Sequence, residues 1–274
     1  MDWTGLVVWV TGGGTGIGRA LALEFASHGA DVVISGRRKD RLEEVAAEVR
    51  QLGKRALTLA CDVADEAACE GAVAQIVAEL GRLDVAVANA GFGVSGRIEQ
   101  LTAADWRRQF DVNVIGVVNT VRAALPELKK TGGRLGLVSS VMGMIAMPGQ
   151  GPYAASKFAV RAIGLTLSQE LHGSGVSCTT VYPGFVESEI TQVDIQGNFD
   201  PNRKDPRPKQ FIWSAAKAAR VMAKAIFARR REYVFTKHGK AGAFMGRHFP
   251  GLVHFVMTRG RTKKKVLAGA KAGR

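Results

Sequence analysis

The chain has 274 residues, 46% hydrophobic and 23% charged, with only 8 Pro, a composition that excludes a disordered or low-complexity protein and suffices for one large hydrophobic core. Its formal charge of +14 is unevenly placed: residues 1–200 hold 18 Lys+Arg against 22 Asp+Glu, while residues 201–274 hold 20 against 2. Three cysteines without paired spacing, Cys61, Cys69 and Cys178, exclude a disulfide framework and a zinc motif and fit a reducing, cytoplasmic compartment.

Along the chain, short apolar β-branched runs alternate with stretches whose apolar residues recur every three or four positions. The runs "LVVWVT" (6–11), "DVVIS" (31–35), "RALTLA" (55–60), "LDVAVAN" (83–89), "RLGLVSS" (134–140) and "VSCTTVYP" (176–183) predict strands. Residues 16–28, 38–52, 65–80, 103–130 and 152–172 predict the intervening helices. Such alternation means parallel strands joined by right-handed helical crossovers, hence an α/β, doubly wound sheet of Rossmann type with about seven strands. The polar, Pro-rich residues 190–212 predict a long loop on the carboxyl edge of the sheet, where folds of this kind bind ligands. A helix over 213–229 and a short strand "REYVF" (231–235) complete the domain, 1–236, and a basic, partly apolar extension occupies 237–274. The start, with Asp2 where an export signal is basic, predicts no export, and no apolar run approaches the ~18–20 residues that span a bilayer. The five histidines show no metal-ligand spacing.

The segment "TGGGTGIG" (11–18) follows the first strand and opens the first helix. Glycines there permit a tight turn and close approach of backbone to a pyrophosphate facing the helix N-terminus. At the end of the second strand, where an NAD-binding fold places a carboxylate for the ribose hydroxyls, this chain has Gly36 followed by Arg37 and Arg38. A guanidinium there suits a 2′-phosphate, so the expected cofactor is NADP(H). In "YAASK", Tyr153 and Lys157 lie one helical turn apart on one face. A phenol near pKa 10 works as a general acid/base at neutral pH only if its pKa falls by ~3 units, about 4 kcal/mol of preferential phenolate stabilisation, which a neighbouring ammonium can supply. Thirteen residues before Tyr153, Ser140 ends a predicted strand on the ligand-binding edge; Ser139 is its neighbour and alternative.

With these motifs in this order, roughly residues 4–236 resemble the short-chain dehydrogenase/reductase family of the NADP-preferring type. The resemblance implies catalytic roles for Asn113, Ser140, Tyr153 and Lys157: Tyr as general acid/base, Lys lowering its pKa and binding the nicotinamide ribose, Ser orienting the carbonyl, and Asn holding a water in a proton relay. It implies cofactor contacts from Gly12, Thr15, Gly16, Ile17 and Gly18, from Arg37 and Arg38, and from Asp62 and Val63 at the adenine. Asn89, Ala90 and Gly91 would stiffen the sheet beside the cofactor, and Pro183, Gly184, Val186 and Ser188 would surround the nicotinamide. A homo-oligomer is also implied, as is usual among relatives.

The expected activity is NADP(H)-dependent interconversion of a ketone or aldehyde and an alcohol. Met142, Met144, Phe92 and Phe185, with Ser140, are the expected substrate wall, which favours a lipophilic carbonyl compound. The alternatives are a carrier-bound 3-oxoacyl reductase and a non-catalytic NADP(H)-binding protein. The extension, with "AFMGRHFPGLVHFVM" followed by Arg259, Arg261 and Lys263–Lys265, has three readings: peripheral seating on an anionic membrane, closure over the pocket or a dimer contact, and docking of an acidic carrier protein. Nucleic acid fits least, since no recognition motif accompanies the charge, and Pro250-Gly251 predicts an interruption of any helix there.

Overall fold

The computed structural model describes residues 1–192, 200, 202–205 and 207–259. Its centre is a parallel sheet of seven strands, β1 (Val7–Thr11), β2 (Asp31–Gly36), β3 (Ala56–Ala60), β4 (Val85–Ala88), β5 (Arg134–Val138), β6 (Ser177–Tyr182) and β7 (Glu232–Val234), in the order β3-β2-β1-β4-β5-β6-β7. The doubly wound class expected from the alternation is therefore present. Strand β1 pairs on one side with β2, Val7 opposite Asp31, and on the other with β4, Val8 opposite Val85. The strand order reverses at this β1/β4 seam, which makes its carboxyl end the crevice of the fold.

All five residues of β1 are buried because helices cover both faces. Val8 and Val10 point into one core, with α1 (Gly16–Ser27), α2 (Lys39–Gln51) and α7 (Ala215–Phe227). Val7 and Trp9 point into the other, with α3 (Glu66–Leu80), α5 (Gly116–Thr131) and α6 (Gly151–Glu170). Local chemistry sets the helix ends: the Asp65 side chain accepts from the amide of Ala68 at the start of α3, and Gly81, at φ 79°, ends it. Trp3 closes the bottom of the first core, edge-on to Phe25 and Phe227 at 5.0 Å each.

Two predicted elements differ from the structure. The continuous helix expected over 103–130 is three pieces: α4 (Ala103–Phe110), a π-helical turn (Asp111–Ile115) and α5. Apolar periodicity could not show this, since the wider turn adds a residue without changing residue type. Within the extension, whose fold the sequence leaves open, α8 (Lys237–His248) follows β7 directly and packs on it and on the single turn Val141–Gly143, and α9 (Pro250–Arg259) packs on α8. The break expected at Pro250-Gly251 falls at Phe249, with Pro250 opening α9. Residues 193–199, 201 and 206 of the loop expected over 190–212, and Arg261 and Lys263–Lys265, lie outside the described residues. Among the described residues no helix is long and apolar enough to cross a membrane.

Candidate active site

A cleft of about 390 Å³ opens at the carboxyl end of the β1/β4 seam. Gly12, Thr15, Gly16, Ile17 and Gly18 form its floor, Gly12 at φ 64° in a conformation that excludes ordinary side chains. A Cβ on Gly12 would also lie 2.8 Å from the Ala90 Cα, so the cradle depends on the absence of side-chain atoms. The next strand is tied to this loop: Thr11 Oγ1 accepts from the amides of Asn89 and Ala90 at 3.0 and 3.1 Å, and Asn89 Nδ2 donates to the Thr11 carbonyl at 2.9 Å. Asp62, Val63 and Gly91 border the same cleft.

At the β2 end of the cleft the two arginines differ. Arg38 is committed to the protein, its Nη2 donating to Glu189 Oε2 at 2.8 Å and to Thr15 Oγ1 at 3.4 Å, a bridge from β2 to the segment after β6. Arg37 has a side chain 68% exposed, and its Nη1 is 4.0 Å from Asp62 Oδ2, too long for a firm bond. A dinucleotide fits this cradle: bare backbone at the glycine loop and a helix N-terminus behind it, with the exposed, weakly held Arg37 guanidinium on the cleft wall.

At the other end three of the four residues singled out from the sequence, Ser140, Tyr153 and Lys157, line the cleft, and Asn113 lies buried behind it. Tyr153 and Lys157 project from α6, and Ser140 follows β5. The Ser140 hydroxyl lies beside the Tyr153 phenol, near enough to lower its pKa; Ser140 Oγ donates to the Pro183 carbonyl at 3.4 Å and accepts from the Met142 amide at 3.1 Å. Ser139 is spent elsewhere, donating to the Lys157 carbonyl at 2.9 Å, so Ser140 is the serine that faces the phenol. Lys157 is buried; its Nζ donates to the Val138 carbonyl at 2.9 Å and stands 5.8 Å from the centre of the Tyr153 ring. Asn113 sits in the π-helical turn with Oδ1 accepting from the Phe92 amide at 3.1 Å. Its Nδ2 donates to the Phe92 carbonyl at 3.0 Å and to Ser156 Oγ at 3.1 Å. That amide, engaged at both ends, fixes the strip after Gly91.

Burial governs the ionisation of this end. It lifts the Tyr153 phenol above its ordinary value, against the bond from Ser140 and the positive charge of Arg207, which lower it. It also pushes the Lys157 ammonium down to about 8. Burial thus disfavours the charged forms of both groups, and the lowering of the phenol expected from Lys157 works against it.

The expected substrate wall is only partly here. Phe92 borders the cleft, but Met142, Met144 and Phe185 do not. Phe185 stacks instead on His238 of α8, ring centres 5.1 Å apart, and its amide donates to His238 Nε2 at 3.1 Å. Pro183, Gly184, Val186 and Ser188 do line the cleft, together with Ile190 and three cations absent from the expectation, Arg41, Arg108 and Arg207. The Arg207 Nη1 donates to the Val186 carbonyl at 2.8 Å and its Nε to Asp205 Oδ1 at 2.9 Å. The Arg108 guanidinium lies 5.6 Å over the Phe92 ring, and its Nε and Nη2 are buried without a hydrogen-bond partner among the described residues. Arg108 precedes Asn113 by five residues, one wide turn, a signal usable only once the π turn is known. Arg207 lies in a segment without periodicity, where sequence offers none.

A model of the short chain dehydrogenase family matches residues 6–198. The chain is 37% identical over 195 residues, 70% of this chain and 77% of the relative, to sulfoacetaldehyde reductase 2 of Chromohalobacter salexigens. It is 40% identical over 192 residues to 11-beta-hydroxysteroid dehydrogenase 1A of Arabidopsis thaliana, covering 69% of this chain but 54% of the plant protein. Among solved structures, a short chain dehydrogenase/reductase from Burkholderia phymatum in complex with NAD superposes with a TM-score of 0.83 at 25% identity, over 92% of this chain and 96% of that one. The seven-stranded parallel sheet, the glycine cradle and these likenesses lead to one conclusion: the chain belongs to the short-chain dehydrogenase/reductase family of oxidoreductases.

Proposed function

We propose that the protein is an NADP(H)-dependent oxidoreductase that interconverts a lipophilic ketone or aldehyde with its alcohol. The observation that carries this reading is the meeting of Ser140, Tyr153 and Lys157 at the inner end of a glycine-cradled cleft. In reduction the Tyr153 hydroxyl gives its proton to the substrate oxygen, and in oxidation the phenolate takes it back. The Ser140 hydroxyl, beside Tyr153 at the same end of the cleft, orients that oxygen. Lys157 would hold the nicotinamide ribose, and Asn113 keeps the adjoining strip, with Phe92, in place. When bound, the dinucleotide supplies or accepts the hydride and, in its oxidised form, a positive charge beside the phenol. Preference for the 2′-phosphate rests on Arg37, exposed and loosely held, and on the absence of a carboxylate side chain at Gly36. An apolar substrate body is supported by Phe92, Val186 and Ile190 on the cleft wall and by the likeness to a hydroxysteroid dehydrogenase.

A second reading has its own observation. Arg108 and Arg207 on that wall, with buried guanidinium nitrogens on Arg108 lacking partners, suit a small anionic aldehyde, in keeping with the name of the bacterial relative. One assay compares the two: oxidation of NADPH followed by absorbance with hydrophobic ketones and with short sulfonated or carboxylated aldehydes. Turnover of the ketones that falls by about 10²–10⁴ in Tyr153→Phe supports the first reading. Turnover confined to the anionic aldehydes supports the second, and none on a broad panel by wild type would sink both.

A further inference from the structure

The tail helices carry an apolar surface that the catalytic reading does not use. Phe244 is 57% exposed, Phe249 48%, Leu252 48% and Val256 52%, on two helices of twelve and ten residues. In α9 the positions Leu252, Phe255 and Val256 recur at three and four residues, so they share one face, and all three are exposed. Phe249 joins that face to α8, its ring 5.9 Å from the ring of Phe244, so the patch is continuous across the break between the helices. Exposed cations flank it on α8: Lys237, Lys240 and Arg247. No Asp or Glu occurs anywhere in 237–274, and Arg261 and Lys263–Lys265 follow directly in sequence.

We propose that the α8–α9 face seats the protein on an anionic lipid surface, with the Phe, Leu and Val side chains at the headgroup boundary and the surrounding cations on the headgroups. Charge selects this occupant. A two-fold contact with a second copy would set the patch against itself and bring two acid-free, cationic segments together. Anionic headgroups supply the missing counter-charge, and the acyl boundary takes the aromatic side chains. At 1.5 Å per residue α9 is ~15 Å long, about half of a bilayer's hydrocarbon thickness, so it lies in the surface and does not cross it. The attachment to the body is rigid: Gly246 of α8 rests on the Met144 carbonyl and Ile145, where a Cβ would stand 2.6 Å from that oxygen. The segment it rests on is the continuation of Ser140, so the docked face lies one element away from the cleft.

The test uses the full chain and sedimentation with vesicles of phosphatidylcholine alone or with phosphatidylserine. Wild type is expected to sediment with the anionic vesicles at least tenfold better than with the neutral ones. The apolar variant Phe244→Ser/Phe249→Ser/Leu252→Ser/Val256→Ser and the charge variant Lys237→Gln/Lys240→Gln/Arg247→Gln should each lose this binding, with circular dichroism and thermal midpoint unchanged. If the apolar variant fails to fold, Phe249→Ser/Leu252→Ser alone provides the same comparison. Absence of vesicle binding by wild type overturns the proposal, as does full binding by a folded apolar variant. A dimer in sedimentation velocity that the serine substitutions dissociate, in a protein that ignores vesicles, would assign the face to a second copy. Binding to polyglutamate without binding to vesicles would assign it to an acidic protein.

Discussion

Lys157 shows at the scale of one residue how this site sets stability against chemistry. Its ammonium, buried and pushed down to about 8 from an ordinary 10.5, is unfavourable in the folded protein. The unfolded chain binds the proton more tightly, so this cost is present in full below about pH 8 and disappears as pH rises from there towards 10.5. Lys157→Met should therefore raise stability at pH 7 by up to about 3 kcal/mol, less what the Val138 carbonyl loses with its donor, while removing turnover. Denaturant unfolding beside an NADPH assay checks both halves; a variant less stable than wild type at pH 7 would contradict the argument. Arg37 carries the second prediction: Arg37→Asp should raise the KM for NADPH about 10- to 100-fold, the worth of charge-assisted bonds to a phosphate, and leave that for NADH equal or lower. Tyr153, Lys157, Ser140 and Arg37 were legible in the sequence because each is a residue type tied to an element boundary or to one helical turn. Arg108, Arg207 and His238 were not, because their meaning comes from what the chain brings opposite them.

At the scale of elements, α8 does more than extend the domain. Its His238 accepts the Phe185 amide at Nε2, which requires the proton on Nδ1 and a neutral ring. Burial lowers the pKa of that ring below 6.5. The unfolded chain therefore binds the proton more readily; the link is intact above pH 6.5 and is lost as pH falls through the folded value. The segment held this way, Pro183–Val186, lines the cleft through Pro183, Gly184 and Val186. His238→Ala should raise the KM for the nicotinamide cofactor about tenfold with little change in kcat, and His238→Gln, whose side-chain oxygen can accept the same amide, should restore most of it. Steady-state kinetics between pH 5.5 and 8, at roughly unit steps around the ordinary histidine range, read this directly; an acid-side loss of affinity that persists in His238→Ala would show that another group titrates. The seven strands were readable because period and β-branching are local signals. The π turn at Asn113 and the seating of α8 on Met144 and Ile145 were not, since both depend on packing between distant segments. For the same reason Met142, Met144 and Phe185, oily and close in sequence to the site, were assigned to the substrate wall although the cleft is bordered by other residues.

Across the whole molecule, charge divides along the chain: residues 1–200 are slightly acidic, and the final quarter, which holds the last helix and strand of the sheet domain as well as α8 and α9, has 20 cations and 2 acids. The cleft straddles the β1/β4 seam, so a dinucleotide lying in it touches both halves of the sheet. NADP at a hundred times its dissociation constant should add about 2.7 kcal/mol of stability, seen as a rise in thermal midpoint. An equal rise with Arg37→Asp would mean that the 2′-phosphate is not recognised. The strand order has a further consequence, for synthesis. Strands β1, β2 and β3 pair in the order in which they are made, but the free side of β1 finds its partner only when Val85 arrives, 77 residues after Val8. During translation that side of β1 is an open edge of unpaired backbone groups carrying Val7, Val8, Trp9 and Val10, and the growing chain is most prone to mispairing and to chaperone capture over this interval. The crevice begins to form only when β4 docks, and it is complete only after the cleft-lining residues up to Arg207 have been made, so a nascent chain cannot use bound nucleotide to shorten that hazard.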